Sequence, residues 1–486
     1  MEKLTRKYGL ITAICMVVGT VIGSGVFFKA QNVLAATGGN MPLGIAAWAI
    51  TGLIMILSSL QFAGMATKYE KVSGVVDYAE ATCGKGYAYC LAWFMTTIYY
   101  PAMTSVLAWV SARYFGVILG WSMVGPRVMT LAGFFLIMSY TVNALSPKLA
   151  GKFQISATVI KLIPITLMAI IGSIVGLFNG TLGENFTTTV PEAVLEAAGV
   201  SGSGGLFAAV VATVFAYEGW IVATSINAEL KNPKKNLPIA LVIGAGIVVG
   251  AYILYYIGVA GGASNEVLIL EGATTAFSNV FGKVGGTLLN ICIVISCLGT
   301  LNGLMVASTR GMYAMAVRGE GPKPATFRQI DKASNMATNS SVFGLFICAS
   351  WLLYFYGANL SPEGSWFGLF SFDPSELPIV TIYALYIPMF IMWMVKEKEL
   401  SPVRRFVLPC ASIVACGFMV FAAVWAHGID PLRAAQAKGE FAFPVLFYLI
   451  VFAVIMVVGF LFSDFFRVKC LKKAPADLPT EGEDAE

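Results

Sequence analysis

GTVIGSGVFF, residues 19–28, interrupts the first apolar run of the chain with three glycines and a serine. Glycine inside a helix costs up to about 1 kcal/mol relative to alanine. Inside a bilayer, a broken helix survives only where protein or a water-filled cavity satisfies the freed backbone groups. A break here therefore implies a cavity. The alternative is that Gly19 and Gly23, four residues apart, form a small-residue face for helix packing.

A break at this stretch creates two kinds of free backbone group. If a half-helix restarts near Val26, the N–H groups of Ser24, Gly25 and Val26 lie at the positive end of its dipole and suit a carboxylate. The carbonyl groups left behind, around Val21 and Ile22, suit an ammonium group. The stretch is thus suited to a small ligand that carries both charges.

Composition decides the class of protein. With 58% hydrophobic residues, 12% charged residues and a mean hydropathy of +0.79, a 486-residue chain is a polytopic membrane protein and no soluble globule. The first apolar run, 8–36, is too long for the core of a cleaved signal peptide. Nine cysteines without a CxxC pair and a single histidine, His427, indicate no metal site, no disulfide framework and no cofactor.

Twelve apolar runs predict twelve membrane spans, and an even number places both termini on one side. Lysine and arginine are concentrated in the segments on the side of the termini, which predicts cytoplasmic termini in a multi-pass protein of the cell membrane. The opposite loops hold only Arg113, Arg127, Lys283, Arg433 and Lys438. The predicted spans are about 9–36, 42–67, 87–118, 127–145, 152–178, 204–229, 237–261, 284–317, 340–357, 376–395, 405–427 and 442–463.

A second interruption, FAYEGW at residues 215–220, lies in the middle of the sixth span. A charged residue such as Glu218 at the membrane midplane costs about 2.5–3.5 kcal/mol and is usually functional. Interruptions in the first and sixth spans predict a five-plus-five duplication of opposite orientation around a central site. The predicted organisation is one transmembrane domain, 1–463, followed by a disordered cytoplasmic tail, 464–486. Within the domain, we predict repeat one at about 8–178, repeat two at about 204–395 and extra helices at about 405–463.

Several strings together resemble one transporter family. They are GTVIGSGVFF in span 1, FAYEGW followed by NAELKNPKKNLPIAL in span 6, SCLGTLNGLMVASTRGMYAMAVRGEGP in span 8, DYAEATCG after span 2 and ATVIKLIPI in span 5. The chain is similar to the amino acid–polyamine–organocation superfamily, most of all to its L-type amino acid transporter branch. The resemblance covers spans 1 to 10 and weakens after Pro402.

This resemblance implies an all-α LeuT-like fold in which helices 1 and 6 are discontinuous at the substrate. It implies that Ser24 and Gly25 bind the α-carboxylate of an amino acid, and that backbone carbonyls bind the α-amino group. Phe215 is expected to be an aromatic lid, or gate, although an ordinary core phenylalanine is the alternative. The expected substrate-binding set is Ile22, Gly23, Ser24, Gly25, Val26, Phe215, Ala216 and Glu218, with carbonyls of Ile22, Phe215 and Ala216 as the ammonium acceptors.

Lys161 lies about ten residues into span 5, on the order of 15 Å from the cytoplasmic end, and its stem of about 6 Å cannot reach the headgroups. The resemblance places its ammonium where sodium-coupled relatives bridge spans 1 and 8 with an ion, with Ser296 and span-1 carbonyls as acceptors. This argues against sodium dependence. A buried lysine can also lose its proton, which leaves proton coupling open. The alternative is a lysine that neutralises a stray carboxylate.

The resemblance carries no substrate specificity over at Glu218, because many L-type members have glycine at this position. An ionised Glu218 favours a cationic side chain, whereas pairing with Lys29, or protonation in an apolar setting, leaves a pocket for small neutral amino acids. We expect the neutral pocket. Tyr99 and Tyr100, in the middle of span 3, are interpreted as core residues, and the alternative is that they line the cavity.

The loop between spans 3 and 4 lacks the cysteine by which animal heteromeric members bind a glycoprotein subunit, so we expect a chain acting without a disulfide-linked heavy subunit. The sequence contains no recognisable set of catalytic residues, so we do not expect an enzyme. The expected function is a sodium-independent exchanger of small neutral L-amino acids. The alternatives are a proton-coupled symporter, a cationic amino acid transporter and a nontransporting amino acid sensor.

Overall fold

The computed structural model of the chain describes residues 9–69, 74–145, 147–198, 205–223, 230–331, 336–361 and 364–463. Within these ranges the chain is helical apart from turns, loops and isolated bridge residues, among them the bridge between Asp331 and Met336. The tail that the sequence predicts to be disordered lies outside the described residues.

The first half of the chain folds into short and long helices in which apolar residues dominate. A π-helix, Met95–Tyr99, joins α5 to α6, and another, Met168–Gly172, joins α9 to α10. The helices are α1 (Leu10–Val21), α2 (Gly25–Ala36), α3 (Met41–Tyr69), α4 (Val75–Cys83), α5 (Lys85–Phe94), α6 (Tyr100–Ile118), α7 (Pro126–Leu145), α8 (Pro147–Ile160), α9 (Leu162–Leu167), α10 (Ser173–Phe178), α11 (Thr181–Thr187) and α12 (Glu192–Ala197).

The second half continues in the same way. Gly282, with φ +71°, kinks the long helix α17, and π-helices at Tyr356–Leu360, Val403–Val407 and Trp425–Ile429 flank α19 and α21. The helices are α13 (Leu206–Val214), α14 (Trp220–Ala223), α15 (Pro233–Ala260), α16 (Asn265–Glu271), α17 (Ala273–Val317), α18 (Pro324–Phe327), α19 (Thr338–Phe355), α20 (Leu377–Lys396), α21 (Leu408–Val424), α22 (Asp430–Ala437) and α23 (Pro444–Leu461).

Nine of the described helices are long and apolar enough to cross a membrane, and α1 with α2 makes a tenth if the bent pair is one span. The predicted third and sixth spans are not among these ten. The third is filled by α5, the π-helix and α6, which follow one another from Lys85 to Ile118. The sixth holds α13, a turn and α14, which ends where the described residues stop. The all-helical membrane protein is confirmed, whereas the count of twelve crossings stays a prediction.

Glycines allow the long helices of the bundle to approach closely. A Cβ added to Gly258 of α15 would lie 2.1 Å from the carbonyl oxygen of Met168, and one added to Gly299 of α17 would lie 2.4 Å from Cβ of Ala157 in α8. Membrane helices associate by this kind of close packing because the lipid supplies no hydrophobic driving force between them. These contacts hold α15 and α17 against the fifth span.

The short helix α4 lies between the predicted spans 2 and 3. Its Asp77 and Glu80 both form ion pairs with Arg318, just beyond the end of α17, the second at 3.1 Å. The ion pairs tie this end of the eighth span to the segment between spans 2 and 3.

Candidate functional site

The first helix stops at Val21 and α2 begins at Gly25, with the two axes bent by 55°. Among the described residues, the N–H groups of Ser24, Gly25 and Val26 donate to no carbonyl. The Ser24 hydroxyl is fully buried and has no hydrogen-bond partner. An unpaired buried donor costs about 1–3 kcal/mol. Four unpaired donors at the start of one helix are the kind of arrangement that suits an anion.

A second turn, residues 215–219, separates α13 from α14 and touches the first break. A Cβ added to Gly25 would lie 2.6 Å from Cα of Ala216. Gly219 has φ +106°, and a Cβ there would lie 2.7 Å from the carbonyl oxygen of Thr20. Only glycine fits at these two positions, because any side chain would push the two backbones apart. The two interruptions read from the sequence thus form one place in the fold.

Tyr252 of α15 joins the two breaks, and sequence reasoning missed it. Its hydroxyl lies 3.1 Å from the carbonyl oxygen of Val21 and 2.9 Å from that of Ala216. Both carbonyls lost helical partners at the breaks, and the fully buried tyrosine compensates them. One of the expected ammonium acceptors, Ala216, is therefore already engaged, whereas the Ile22 carbonyl accepts no bond from the described residues.

Phe215 lies within a layer of aromatic rings on one side of the breaks. It is 7% exposed, and its ring meets that of Phe28 edge to face at 5.2 Å between centroids. Phe28 in turn meets Trp109 of α6 at 6.5 Å. The contact with the first break and this stacking agree with the place of a lid. The gating role itself stays a prediction.

Glu218 keeps a buried oxygen, Oε2, that has no hydrogen-bond partner. The Tyr99 hydroxyl lies close enough to interact with the carboxyl group. Tyr99 therefore contributes to the surroundings of Glu218 and is more than a core residue. The pairing of Glu218 with Lys29 does not occur, because the Lys29 ammonium has other partners.

Lys29 is fully buried and lies in a polar cluster that was not visible in the sequence. Its Nζ is 2.5 Å from Oε1 of Glu376 and 3.0 Å from the hydroxyl of Ser375. The other carboxylate oxygen of Glu376 lies 2.9 Å from Nε2 of His427. Lys29 is also 5.9 Å from the ring of Phe215. The cluster thus connects the second half of span 1 to spans 10 and 11, beside the predicted lid.

Lys161, 5% exposed, donates to the carbonyl oxygen of Gly19 at 2.6 Å. A span-1 carbonyl is therefore its partner. The structure does not bring Ser296 to it: the Ser296 hydroxyl is buried and has no hydrogen-bond partner. The role of Ser296 as a second acceptor stays a prediction.

Together these groups suit a zwitterion. Free N–H groups and a hydroxyl around Ser24 attract an anion, while the Ile22 carbonyl and the Glu218 carboxyl lie in the two touching breaks and attract a cation or a hydrogen-bond donor. No cluster of three or more potential metal-ligating side chains exists in the described ranges.

Comparison with known proteins gives matches over most of the chain. The family model described as amino acid permease matches residues 8–460. The serine/threonine exchanger SteT of Bacillus subtilis (strain 168) is 32% identical over 66% of this chain and 70% of its own length. The b(0,+)-type amino acid transporter 1 of Oryctolagus cuniculus is 28% identical over 65% of this chain, and the match spans less than two thirds, 64%, of that relative. The crystal structure of MhsT in complex with L-phenylalanine, a protein of the LeuT-like fold, superposes with a TM-score of 0.50 at 15% identity and covers 87% of this chain and 100% of that one.

Proposed function

Since the chain belongs to the amino acid permease family, we propose that it is a sodium-independent exchanger of small neutral L-amino acids that works by alternating access. One observation carries the proposal. The free N–H groups of Ser24, Gly25 and Val26 lie at the start of the half-helix α2. Its first residue, Gly25, contacts the second backbone break at Ala216. A carboxylate and an ammonium on one carbon match such a pair of breaks.

We propose twelve spans arranged as a five-plus-five inverted repeat, with discontinuous helices 1 and 6 and both termini on the cytoplasmic side of the cell membrane. The 55° bend between α1 and α2 and the turn at residues 215–219 support this. Phe215 then closes the site from the outer side, and the repeats rock around it. We propose that the chain transports without a disulfide-linked partner.

The side-chain end of the substrate is proposed to meet Glu218. Lys29 forms its ion pair with Glu376, so its positive charge does not compensate Glu218. The proposal of a neutral substrate therefore needs a different reason. A small substrate with a hydroxyl group can donate to the free Oε2 of Glu218 without bringing a charge. The name of the relative SteT, a serine/threonine exchanger, makes L-serine the first substrate to test.

The experiment is uptake of labelled L-serine into proteoliposomes that are either empty or preloaded with L-serine. We expect uptake only into preloaded vesicles and the same rate with and without external sodium or a pH gradient. Preloading with L-lysine instead tests the cationic alternative. Accumulation in empty vesicles driven by sodium or protons would contradict an exchanger, and binding without any uptake would indicate a sensor.

Removing the Tyr252 hydroxyl should slow exchange. The Tyr252→Phe variant keeps the ring and leaves the carbonyls of Val21 and Ala216 without their shared donor. Each unsatisfied group costs about 1–3 kcal/mol, which corresponds to a rate about tenfold lower or more if the breaks shift. The measurement is the L-serine exchange rate, with Tyr140→Phe, a half-buried tyrosine on α7, as the control. Equal rates in both variants would show that Tyr252 does not hold the breaks in their working geometry.

A further inference from the structure

Arg113, on α6, is a buried cation for which no carboxylate partner exists among the described residues. It is 8% exposed, and none of the ion pairs in the described ranges includes it. Its Nη2 donates to Oε1 of Gln31 at 2.7 Å and lies 3.1 Å from the sulfur of Met123. Its Nε is buried without a partner. An amide and a thioether leave the positive charge of the guanidinium uncompensated, which is costly away from water.

The guanidinium lines a cavity of about 520 Å³, here named the Arg113 cavity. This volume is within the usual range of small-ligand sites. The cavity is surrounded by the ends of α2 and α6, the start of α13 and the segment 426–431 that follows α21, all of which the proposed orientation places on the outer side. Its polar lining groups include Gln31, Asn32, Arg113 and Asp430, so the walls carry both signs of charge.

The Arg113 cavity is separated from the breaks by the aromatic layer. Trp109, one turn before Arg113 on α6, lines the cavity and contacts Phe28, which contacts Phe215. The guanidinium also lies 5.5 Å from the centroid of the Trp109 ring, which fixes its direction. A molecule moving from the outer side to the breaks therefore meets Arg113 before the predicted lid.

We infer that the Arg113 cavity is a first docking site for the carboxylate of the incoming amino acid, before transfer to the breaks. Arginine is the side chain best suited to a carboxylate, because its planar fork donates two parallel hydrogen bonds. The Nη2 contact with Gln31, which itself donates to the carbonyl of Ile269 at 2.7 Å, holds the guanidinium in place. Gln31 belongs to α2, so carboxylate binding at Arg113 contacts the helix that begins at the first break. The inference rests on the proposed exchange function.

The test measures the apparent affinity for L-serine separately on the two faces of the membrane. The apparent KM for L-serine is measured outside in intact cells that express the protein, and inside in inside-out vesicles. We expect Arg113→Gln to raise the external KM about tenfold, because a focused charge speeds encounter by that order or more, and to leave the internal KM unchanged. Arg113→Lys keeps the charge and should restore most of the external affinity. Arg127→Gln, an exposed arginine on the same proposed side and outside the cavity lining, is the matched control.

A measurement on the wild type does not depend on whether a variant folds. External 3-hydroxypropanoate, which is L-serine without its amino group, should raise the external KM of the wild type, and the neutral 3-hydroxypropanamide should not. The effect should be about tenfold weaker in Arg113→Gln, because only the carboxylate position at the breaks remains. Loss of affinity on both faces in Arg113→Gln would overturn the docking site. So would competition by 3-hydroxypropanoate that is absent in the wild type, or that is as strong in the variant as in the wild type. Such results leave the exchange function intact, whereas absence of wild-type L-serine exchange counts against the function.

Discussion

Replacing Gly25 by alanine should reduce amino acid exchange by at least about 100-fold, because small displacements of a binding site have effects of this size. The added Cβ would lie 2.6 Å from Cα of Ala216 and 3.0 Å from Cδ1 of Phe215. The nearer neighbour is backbone, which cannot rotate away, so the two breaks must separate. Overpacking of this kind costs about 1–3 kcal/mol.

The measurement is the L-serine exchange rate of Gly25→Ala in preloaded proteoliposomes, with the elution profile in detergent as the check of folding. Gly246→Ala is the matched control, because Gly246 lies on the exposed face of α15 and a Cβ there meets nothing within 4 Å. A Gly25→Ala variant as fast as the control would show that contact between the breaks is not needed for transport.

Neutralising Lys161 should slow exchange by about ten- to a hundredfold while L-serine still binds. Lys161→Met keeps the length of the side chain but leaves the Gly19 carbonyl without its donor, and an unsatisfied buried group costs about 1–3 kcal/mol. Lys161 lies next to the helix that packs on α17 through Ala157 and Gly299. The lost bond joins span 5 to span 1, and in the proposed alternating-access cycle its loss shifts the balance of the two states.

Exchange rate and apparent affinity are to be measured on each face, with and without sodium. Lys152→Met, an exposed lysine on α8, is the control. We expect a lower rate and altered sidedness only in Lys161→Met, and no effect of sodium on the wild type. Unchanged rates and sidedness in the variant, or a sodium requirement in the wild type, would contradict this role. Lys161 would then be only a buried charge that is hydrogen-bonded to Gly19.

The local features of the site were predictable from the sequence. The glycines of residues 19–28 predict a break because they weaken a helix wherever they occur, and the structure ends α1 at Val21 and starts α2 at Gly25. Glu218 also stands out in the sequence, because a carboxyl group in an apolar membrane run is costly unless it has a function. The fold class followed from composition together with the resemblance of several separate motifs.

Contacts across the sequence were not predictable. Lys29 pairs with Glu376, 347 residues away, and Tyr252 reaches back 231 residues to Val21. A buried lysine pairs with whichever carboxylate the packing places beside it, and Lys29 and Glu218 looked like partners only because both lie near breaks. Many tyrosines in apolar helices such as α15 only pack their rings. The sequence around Tyr252 does not show that its hydroxyl bonds to two backbone carbonyls.

The central claim is that the two touching breaks bind the amino acid, and a structure of the protein with bound L-serine tests it most directly. We expect carboxylate oxygens at about 2.7–3.2 Å from the N–H groups or the hydroxyl around Ser24 and Gly25. The ammonium should lie at the carbonyls of Ile22, Phe215 or Ala216, and the side chain should point toward Glu218. A ligand bound away from the breaks, or one with its carboxylate at Glu218 and its ammonium at Ser24, would contradict it.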